Sequence, residues 1–343
     1  MEKLGVAILG LDHWYLAGDM APTVLNGADT RLVAVSHDDV AQGRQLIRNA
    51  DDAFWTSDYR AALDRKDVDI VVLLYSTDCN VAICQEAAAL GKHIVSVKPM
   101  ALDLAGADAI VAAVRAAGVQ FFPLESQRRL DLDSLRIKSW VDQGRIGRPL
   151  RFTQMLHGSL PMAWPGSADA GWWTDPNRVP GGAWLDHAIY AVDSARWLLG
   201  SEMAQVCGVS ANQRYAELAV EDFGIATYTM DDGAVALIED TWTADRGYGF
   251  SRSELFGSAG TISEDSNLRG AVALRGDFGL EGALILDLRR DSRSLVIDHM
   301  VAVVRGEIAP AATVDDGRAN LAACLAFYEA ARTAASVTIG DRG

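Results

Sequence analysis

The chain has 343 residues, 31 of them basic and 46 acidic, for a formal net charge of −15, and half of it is hydrophobic. That length exceeds an average domain and is ample for a full core, so a largely disordered polypeptide is excluded. The acidic balance argues against a nucleic-acid or anionic-membrane binder, because either needs a basic face. The opening run Met1–Gly10 is too short for a signal core, and no apolar stretch approaches the ~18 residues of a membrane span. Cys79, Cys84, Cys207 and Cys324 form no C-x-x-C pair, so they read as free thiols and no metal site is expected. A soluble, cytoplasmic protein is the expectation.

The first ~125 residues alternate apolar runs with helical patterns. Val6–Leu9, Arg31–Ser36, Asp69–Tyr75, His93–Val97 and Gln120–Leu124 read as strands. Val81–Leu90 and Leu104–Ala117 read as helices, the second closing at Gly118. Strands that are apolar throughout and separated by helices predict a Rossmann-like, doubly wound parallel sheet, with its ligand at the carboxyl ends. After Pro149 the pattern changes. Arg151–His157 reads as a strand, 161–182 as an irregular loop, and Gly182–Leu199 as a helix ending at Gly200. Phe223–Met230 and Ala234–Trp242, joined by Asp231-Asp232-Gly233, predict a hairpin. Ser253–Phe256 and Thr261–Ser263 flank a further turn, and Ser292–Val304 and Asp315–Ala334 read as closing helices. The expected architecture is a dinucleotide-binding domain over 1–125 and an α+β domain with a large open antiparallel sheet over 126–343. The terminal helix is free in this reading to pack back on the first domain.

Gly10 ends the first strand where a G-x-G-x-x-G fingerprint would sit, but the six residues are Gly10-Leu11-Asp12-His13-Trp14-Tyr15. Only the first glycine is present. A carboxylate ~5 Å from a phosphate costs on the order of 1–3 kcal/mol, so Asp12 either points away or the dinucleotide sits differently, and His13 could offset some charge. A tight turn with no nucleotide is the plainer alternative. At the end of the second strand, Asp38 or Asp39 can bind the adenosine ribose and favours NAD, with NADP left open beside His37; either can instead cap the next helix. The candidate cofactor residues are Gly10, Asp12, His13, Trp14, His37, Asp38, Ser76, Thr77 and Lys98.

Five stretches, in order along the chain, carry a family resemblance. They are Gly91-Lys92-His93-Ile94-Val95-Ser96-Val97-Lys98-Pro99, Ser126-Gln127-Arg128-Arg129, Gly144-Arg145-Ile146-Gly147-Arg148-Pro149, Gly181-Gly182-Ala183-Trp184-Leu185-Asp186 followed by Asp193, and Phe256-Gly257-Ser258-Ala259-Gly260-Thr261. Together the chain resembles the glucose–fructose oxidoreductase / inositol dehydrogenase (Gfo/Idh/MocA) family. It departs from that pattern at the glycine turn, at Val97 in place of a glutamate, at Asn80 in place of a histidine, and at Tyr190 in place of the helix histidine.

The resemblance implies that Lys98, at a strand end, is catalytic. Burial can lower a lysine pKa from about 10.4 towards ~7–8 and make it a base. Asp186 and Tyr190, four apart on a helix, share a face, with His187 at its edge. Tyr190 or Lys98 is then expected to take a hydroxyl proton, and Asp186 to orient the substrate or the lysine. The corresponding structural readings are a surface lysine, a core tyrosine and a salt-bridged aspartate. Trp172, Trp173, Asp175, Asn177 and Arg178 precede the helix and suit a sugar or polyol, or else seal a domain interface. The expected substrate residues are Gln127, Arg128, Trp173, Arg178, Asp186 and Tyr190. The expected function is NAD(P)-dependent hydride transfer to or from a sugar, inositol or related polyol. An NAD-assisted glycoside hydrolase and a non-enzymatic binding relative are the alternatives. Apolar residues on both sides of Ala234–Trp242 leave a sheet face for a second subunit to cover, and the resemblance implies a homo-oligomer, dimer or tetramer.

Overall fold

The computed structural model describes residues 2–268, 271–277, 284–287 and 292–340. Met1 and residues 341–343, inside the expected domain limits, lie outside them.

Six parallel strands form the first sheet: β1 (Leu4–Leu9), β2 (Thr30–Ser36), β3 (Phe54–Thr56), β4 (Ile70–Leu73), β5 (His93–Ser96) and β6 (Phe121–Pro123). Their order is β3-β2-β1-β4-β5-β6. The order reverses between β1 and β4, which makes their carboxyl ends the switch point. Burial of β1 and β4 on both faces explains why they read as unbroken apolar runs. Gly10, at φ +81°, turns the chain out of β1; a Cβ there would sit 2.4 Å from the Tyr75 ring, so only glycine lets β1 and β4 end this close.

Helices α1 (Trp14–Asn26), α2 (Val40–Leu46), α3 (Tyr59–Leu63), α4 (Thr77–Ala89) and α5 (Leu104–Ala117) connect these strands. Asp103 accepts from Gly106 N at the start of α5, and Gly118 ends it in the left-handed conformation. One face of the sheet packs on Ile83, Ala87, Ile110 and Val114 of α4 and α5. The other packs on Leu16, Met20 and Val24 of α1, joined by Val296, Ile297 and Met300 from far along the chain.

After α6 (Leu132–Asp142) comes the second sheet: β7 (Pro149–His157), β8 (Met203–Ala211), β9 (Phe223–Met230), β10 (Val235–Thr241), β11 (Phe250–Gly257), β12 (Thr261–Asp265), β13 (Ala271–Arg275), β14 (Leu284–Asp287) and β15 (Val337–Thr338). Among the described residues it has nine strands, in the order β14-β13-β12-β11-β7-β10-β9-β8-β15. The expected antiparallel character is corrected at one place, since β7 and β10 run parallel. A parallel pair needs a long crossover, and α7 (Ile189–Leu199) with the β8–β9 ribbon supplies it. The predicted Asp-Gly hairpin is present, with Gly233 at φ +84°. The predicted single helix over Gly182–Leu199 is instead a π turn, Trp184–Ala188, leading into α7. Helix α8 (Ser292–Val304) lies on the first sheet beside α1, and α9 (Val314–Thr333) buries Phe327 against Trp184 at a ring separation of 3.9 Å.

Asp193 of α7 is fully buried and joins these parts. It accepts from Ser126 Oγ (2.7 Å), Arg129 Nη2 (2.7 Å) and Nε (3.1 Å), and Asn320 Nδ2 of α9 (3.0 Å). Among the described residues, no helix is long and apolar enough to cross a membrane.

Candidate active site

Strand β5 delivers Lys98 to the carboxyl edge of the first sheet, and the π turn delivers Asp186 opposite it. Lys98 Nζ lies 2.5 Å from Asp186 Oδ1 and also donates to the Asp186 carbonyl. Lys98 is 1% exposed, with its ammonium against the Trp173 and Tyr190 rings at 5.3 and 5.4 Å. Burial pulls the Lys98 pKa down, but the Asp186 carboxylate and the Tyr190 hydroxyl outweigh it, and the net shift is upward. This corrects the expected lowering: Asp186, expected to orient either the substrate or the lysine, sits against the ammonium itself and outweighs the burial. Burial raises the Asp186 pKa, yet His187 and Lys98 overcome that and hold it at about 2. Trp242 Nε1 donates to Asp186 Oδ2 at 3.0 Å. Burial raises the Tyr190 pKa more than Lys98 and Arg293 lower it, so Tyr190 is a neutral phenol.

Lys98, Asp186, His187 and Tyr190 line one cleft of about 1030 Å³, large for a small-molecule site. Gln127, Arg128 and Trp173, expected to touch substrate, line it too. Gln127 Oε1 and Gln154 Oε1 are buried with no hydrogen-bond partner. Arg128 pairs with Glu264 (2.9 Å), so its charge is already matched. Gln154 and Glu264 were not anticipated. The alternation of β7 places Gln154 on the same face as buried Phe152, and that parity was the available signal.

The expected cofactor residues are spread along the sheet edge beneath segment 161–179. Only Trp14 and Lys98 of that set reach the open cleft. Trp14 Nε1 donates to Met162 O (3.0 Å), and Trp164 stacks on His37 at 5.4 Å and 10°. His13 is wholly buried beside Trp172 and Trp173, and burial drives its pKa down to about 3. A neutral imidazole cannot offset the Asp12 charge, which corrects that expectation. Arg178 does so instead. Its Nη2 donates to Ser76 Oγ (2.6 Å) and lies 3.4 Å from Asp12 Oδ2, with Nε 3.5 Å from Asp78. Arg178 is therefore absent from the cleft, against the expected substrate role, because the carboxylates at the glycine turn draw it there. Asp12 accepts from Ser76 N (2.8 Å), and its burial outweighs these partners to raise its pKa. Asp38 is exposed, while Asp39 caps α2 through Gln42 N.

Five buried polar atoms along this edge lack a hydrogen-bond partner: His13 Nε2, His37 Nδ1, Thr77 Oγ1, Trp172 Nε1 and Trp173 Nε1. Unsatisfied groups are rare in folded interiors. Three of them lie on the sheet edge and two on the strap above it, near Arg178, an arrangement that fits an extended polar ligand such as a dinucleotide.

Residues 4–124 match the model of an oxidoreductase family with an NAD-binding Rossmann fold, and residues 134–263 match a Gfo/Idh/MocA C-terminal domain. The chain belongs to the Gfo/Idh/MocA family of oxidoreductases, whose cofactor domain binds NAD. It is 33% identical over 215 residues to the uncharacterized oxidoreductase YrbE of Bacillus subtilis, covering 62% of this chain and 60% of that one. It is 28% identical over 268 residues to myo-inositol 2-dehydrogenase of Thermotoga maritima, covering 76% of each. Levoglucosan dehydrogenase in complex with NADH and L-sorbose superposes with a TM-score of 0.84 over 99% of this chain and 100% of that one, at 20% identity. That likeness shows the fold.

Proposed function

We propose that the protein interconverts a secondary alcohol and its ketone on a sugar, inositol or related polyol, with NAD as hydride carrier. The observation that carries this reading is the buried Lys98–Asp186 pair on the wall of the cleft. Relatives named for myo-inositol, scyllo-inositol and 1,5-anhydro-D-fructose support the substrate class. When bound, the nicotinamide exchanges a hydride with the carbinol carbon. Gly10, Asp12 with Arg178, Ser76, Thr77, His13, Trp14, His37 and Asp38 are the residues available to hold the dinucleotide. Lys98 holds the substrate oxygen and manages its proton, Asp186 fixes Lys98, and Tyr190 covers it. Gln127 and Gln154 offer unpaired amide oxygens to further hydroxyls. A panel of inositols, aldoses and anhydrosugars, assayed with NAD and NADP at 340 nm, tests this. Turnover of none of them would sink the reading.

Two expectations follow from the geometry. Because Lys98 is an ammonium whose pKa is raised, its basic form develops only on the alkaline side. Oxidation should therefore accelerate as pH rises through the alkaline range while ketone reduction slows, and the reverse trend in kcat/KM would contradict the assignment. Arg178→Ala leaves Asp12 and Asp78 facing the dinucleotide without their cation, and we expect about tenfold weaker NAD binding (~1.4 kcal/mol) by fluorescence titration.

We also infer a homo-oligomer. The outer face of the second sheet exposes Met155 (37%), Leu237 (38%) and Val209 (58%). One cross-strand row there reads Val209, Ile225, Glu239, Met155, Arg252 in register. Arg252 at the end of this row is already held by Asp265 at 2.7 Å, so the apolar Val209, Leu237 and Met155 are what a second copy would cover across a two-fold axis. Light scattering should give a dimer or tetramer, and Leu237→Lys should shift it to monomer. A monomeric wild type would refute this.

A further inference from the structure

Three strands of the second sheet carry a polar floor in the cleft. The cross-strand row Ala236, Phe152, Leu255, Ile262, Leu274 is buried and apolar and belongs to the main core. The next row on the same face lies two residues along each strand. It pairs Gln154 of β7 with Ser253 of β11, and Ser253 with Glu264 of β12. These three are 9%, 8% and 6% exposed, and all three line the cleft. Apolar side chains there would extend the core with no polar group to desolvate.

The row is tied down at one end and unsatisfied at the other. Glu264 accepts from Ser253 Oγ (2.9 Å) and from Arg128 Nη2 (2.9 Å), which reaches over from the chain after β6. Gln154 and its neighbour across the cleft, Gln127, are each about nine-tenths buried, and among the described residues no donor meets the Oε1 of either. A buried acceptor without a donor is uncommon and destabilising. Ligand hydroxyls on the floor supply both donors.

This row stands away from the reacting end. That end is tied to β10, because His187 lies 3.2 Å from Asp186 and 3.4 Å from Asp240 of β10, and Trp242, just past β10, donates to Asp186. Strands β7, β11 and β12 follow β10 in the sheet order. At about 4.8 Å per strand, Glu264 is roughly 14 Å across the sheet from β10. A single pyranose or inositol ring held at Lys98 does not span that width. The residues available to hold the dinucleotide belong to the first domain and to segment 161–179, so the floor is not theirs. Its charge is also balanced. Of the arginines on this side of the cleft, Arg128 is matched by Glu264 and Arg252 by Asp265, while Arg246 is exposed on the loop after β10 and donates to Leu160 O.

We propose that the row Gln154, Ser253, Glu264 is a subsite for a second, neutral sugar ring, so that the preferred substrate is a disaccharide or glycoside that reacts on one ring and is gripped through the hydroxyls of the other. This deepens the reading of function given above and rests on it for the reacting ring. An anionic substituent gains nothing here, because it would have to displace Glu264 from Arg128.

The test compares methyl glucoside and methyl galactoside with maltose, cellobiose, lactose and sucrose. Calorimetry on the protein without NAD reads binding, and initial rates at 340 nm with NAD read kcat/KM. At least one disaccharide should bind about tenfold or more tightly than the matching methyl glycoside, and exceed it in kcat/KM by a similar factor. Gln154→Leu and Ser253→Val should each cut that ratio by about fivefold or more. Ser253→Val is the smaller change, and it decides the matter if thermal melting shows that Gln154→Leu does not fold. The proposal is overturned if no disaccharide outbinds its methyl glycoside, or if the ratio survives in the folded variants. A preference for glucose 6-phosphate over glucose would overturn the neutral character of the subsite. Tighter disaccharide binding with no turnover of any sugar would leave the subsite standing and sink the reading of function.

Discussion

Lys98→Met should cut hydride transfer by about 10³-fold or more while changing NAD binding less than threefold. General acid–base groups contribute 10²–10⁴-fold, roughly, and Lys98 is also the cation facing Asp186 at 2.5 Å. Methionine keeps the length of the stem and its packing between Trp173 and Tyr190. Asp186 keeps the Trp242 indole and His187 as partners, so the turn that carries it survives. The measurement is single-turnover absorbance at 340 nm beside a binding titration. Turnover within tenfold of wild type would remove Lys98 from the proton step. Loss of binding in parallel with turnover would make it a cofactor anchor instead.

The largest expected effect on stability is Asp193→Ala. Asp193 is buried at the junction of α7, α9 and the chain after β6, and it takes four hydrogen bonds from Ser126, Arg129 and Asn320. Removing it leaves the Arg129 guanidinium, nine-tenths buried, with Asp316 as its remaining carboxylate. Breaking a buried pair from one side costs about 3–5 kcal/mol. The urea midpoint should fall accordingly. A midpoint within the change expected for ~1 kcal/mol would mean that solvent or a neighbour relieves Arg129.

Much of the fold is written locally. Val6–Leu9, Asp69–Tyr75 and His93–Val97 are apolar because parallel strands are covered on both faces, and the Asp-Gly turn at 231–233 announces its own hairpin. The parts not anticipated depend on distant partners. β3 is three residues long and pairs only at the sheet edge, and β15 is two residues long. The parallel β7–β10 pair is a matter of topology, invisible to alternation. The π turn has no signature that separates it from an ordinary helical turn.

The site divides the same way. Lys98, Asp186, His187 and Tyr190 were expected from the family resemblance, helped by a strand end at Lys98 and the spacing of 186 and 190, and the structure brings all four to one cleft. The direction of the Lys98 shift was not legible, since it depends on a carboxylate 88 positions along the chain. Arg178 looked like a substrate residue from its neighbours Trp172 and Trp173. It was drawn instead to Asp12, the carboxylate that made the glycine turn look unfavourable for a dinucleotide. That awkward charge and the strap's one well-placed cation answer each other across 166 positions. In an acidic chain, local compensation of this kind is what makes room for an anionic cofactor.

The central claim is that this cleft moves a hydride between a polyol carbon and NAD. The most direct measurement is a single turnover with an inositol or sugar deuterated at its carbinol carbon, read at 340 nm and by mass spectrometry of the nicotinamide product. The account predicts a rise at 340 nm and one deuterium retained in the reduced nicotinamide ring. Ketone formation with no deuterium in that ring, or no reaction and no NAD or NADP binding at millimolar concentration, would contradict it.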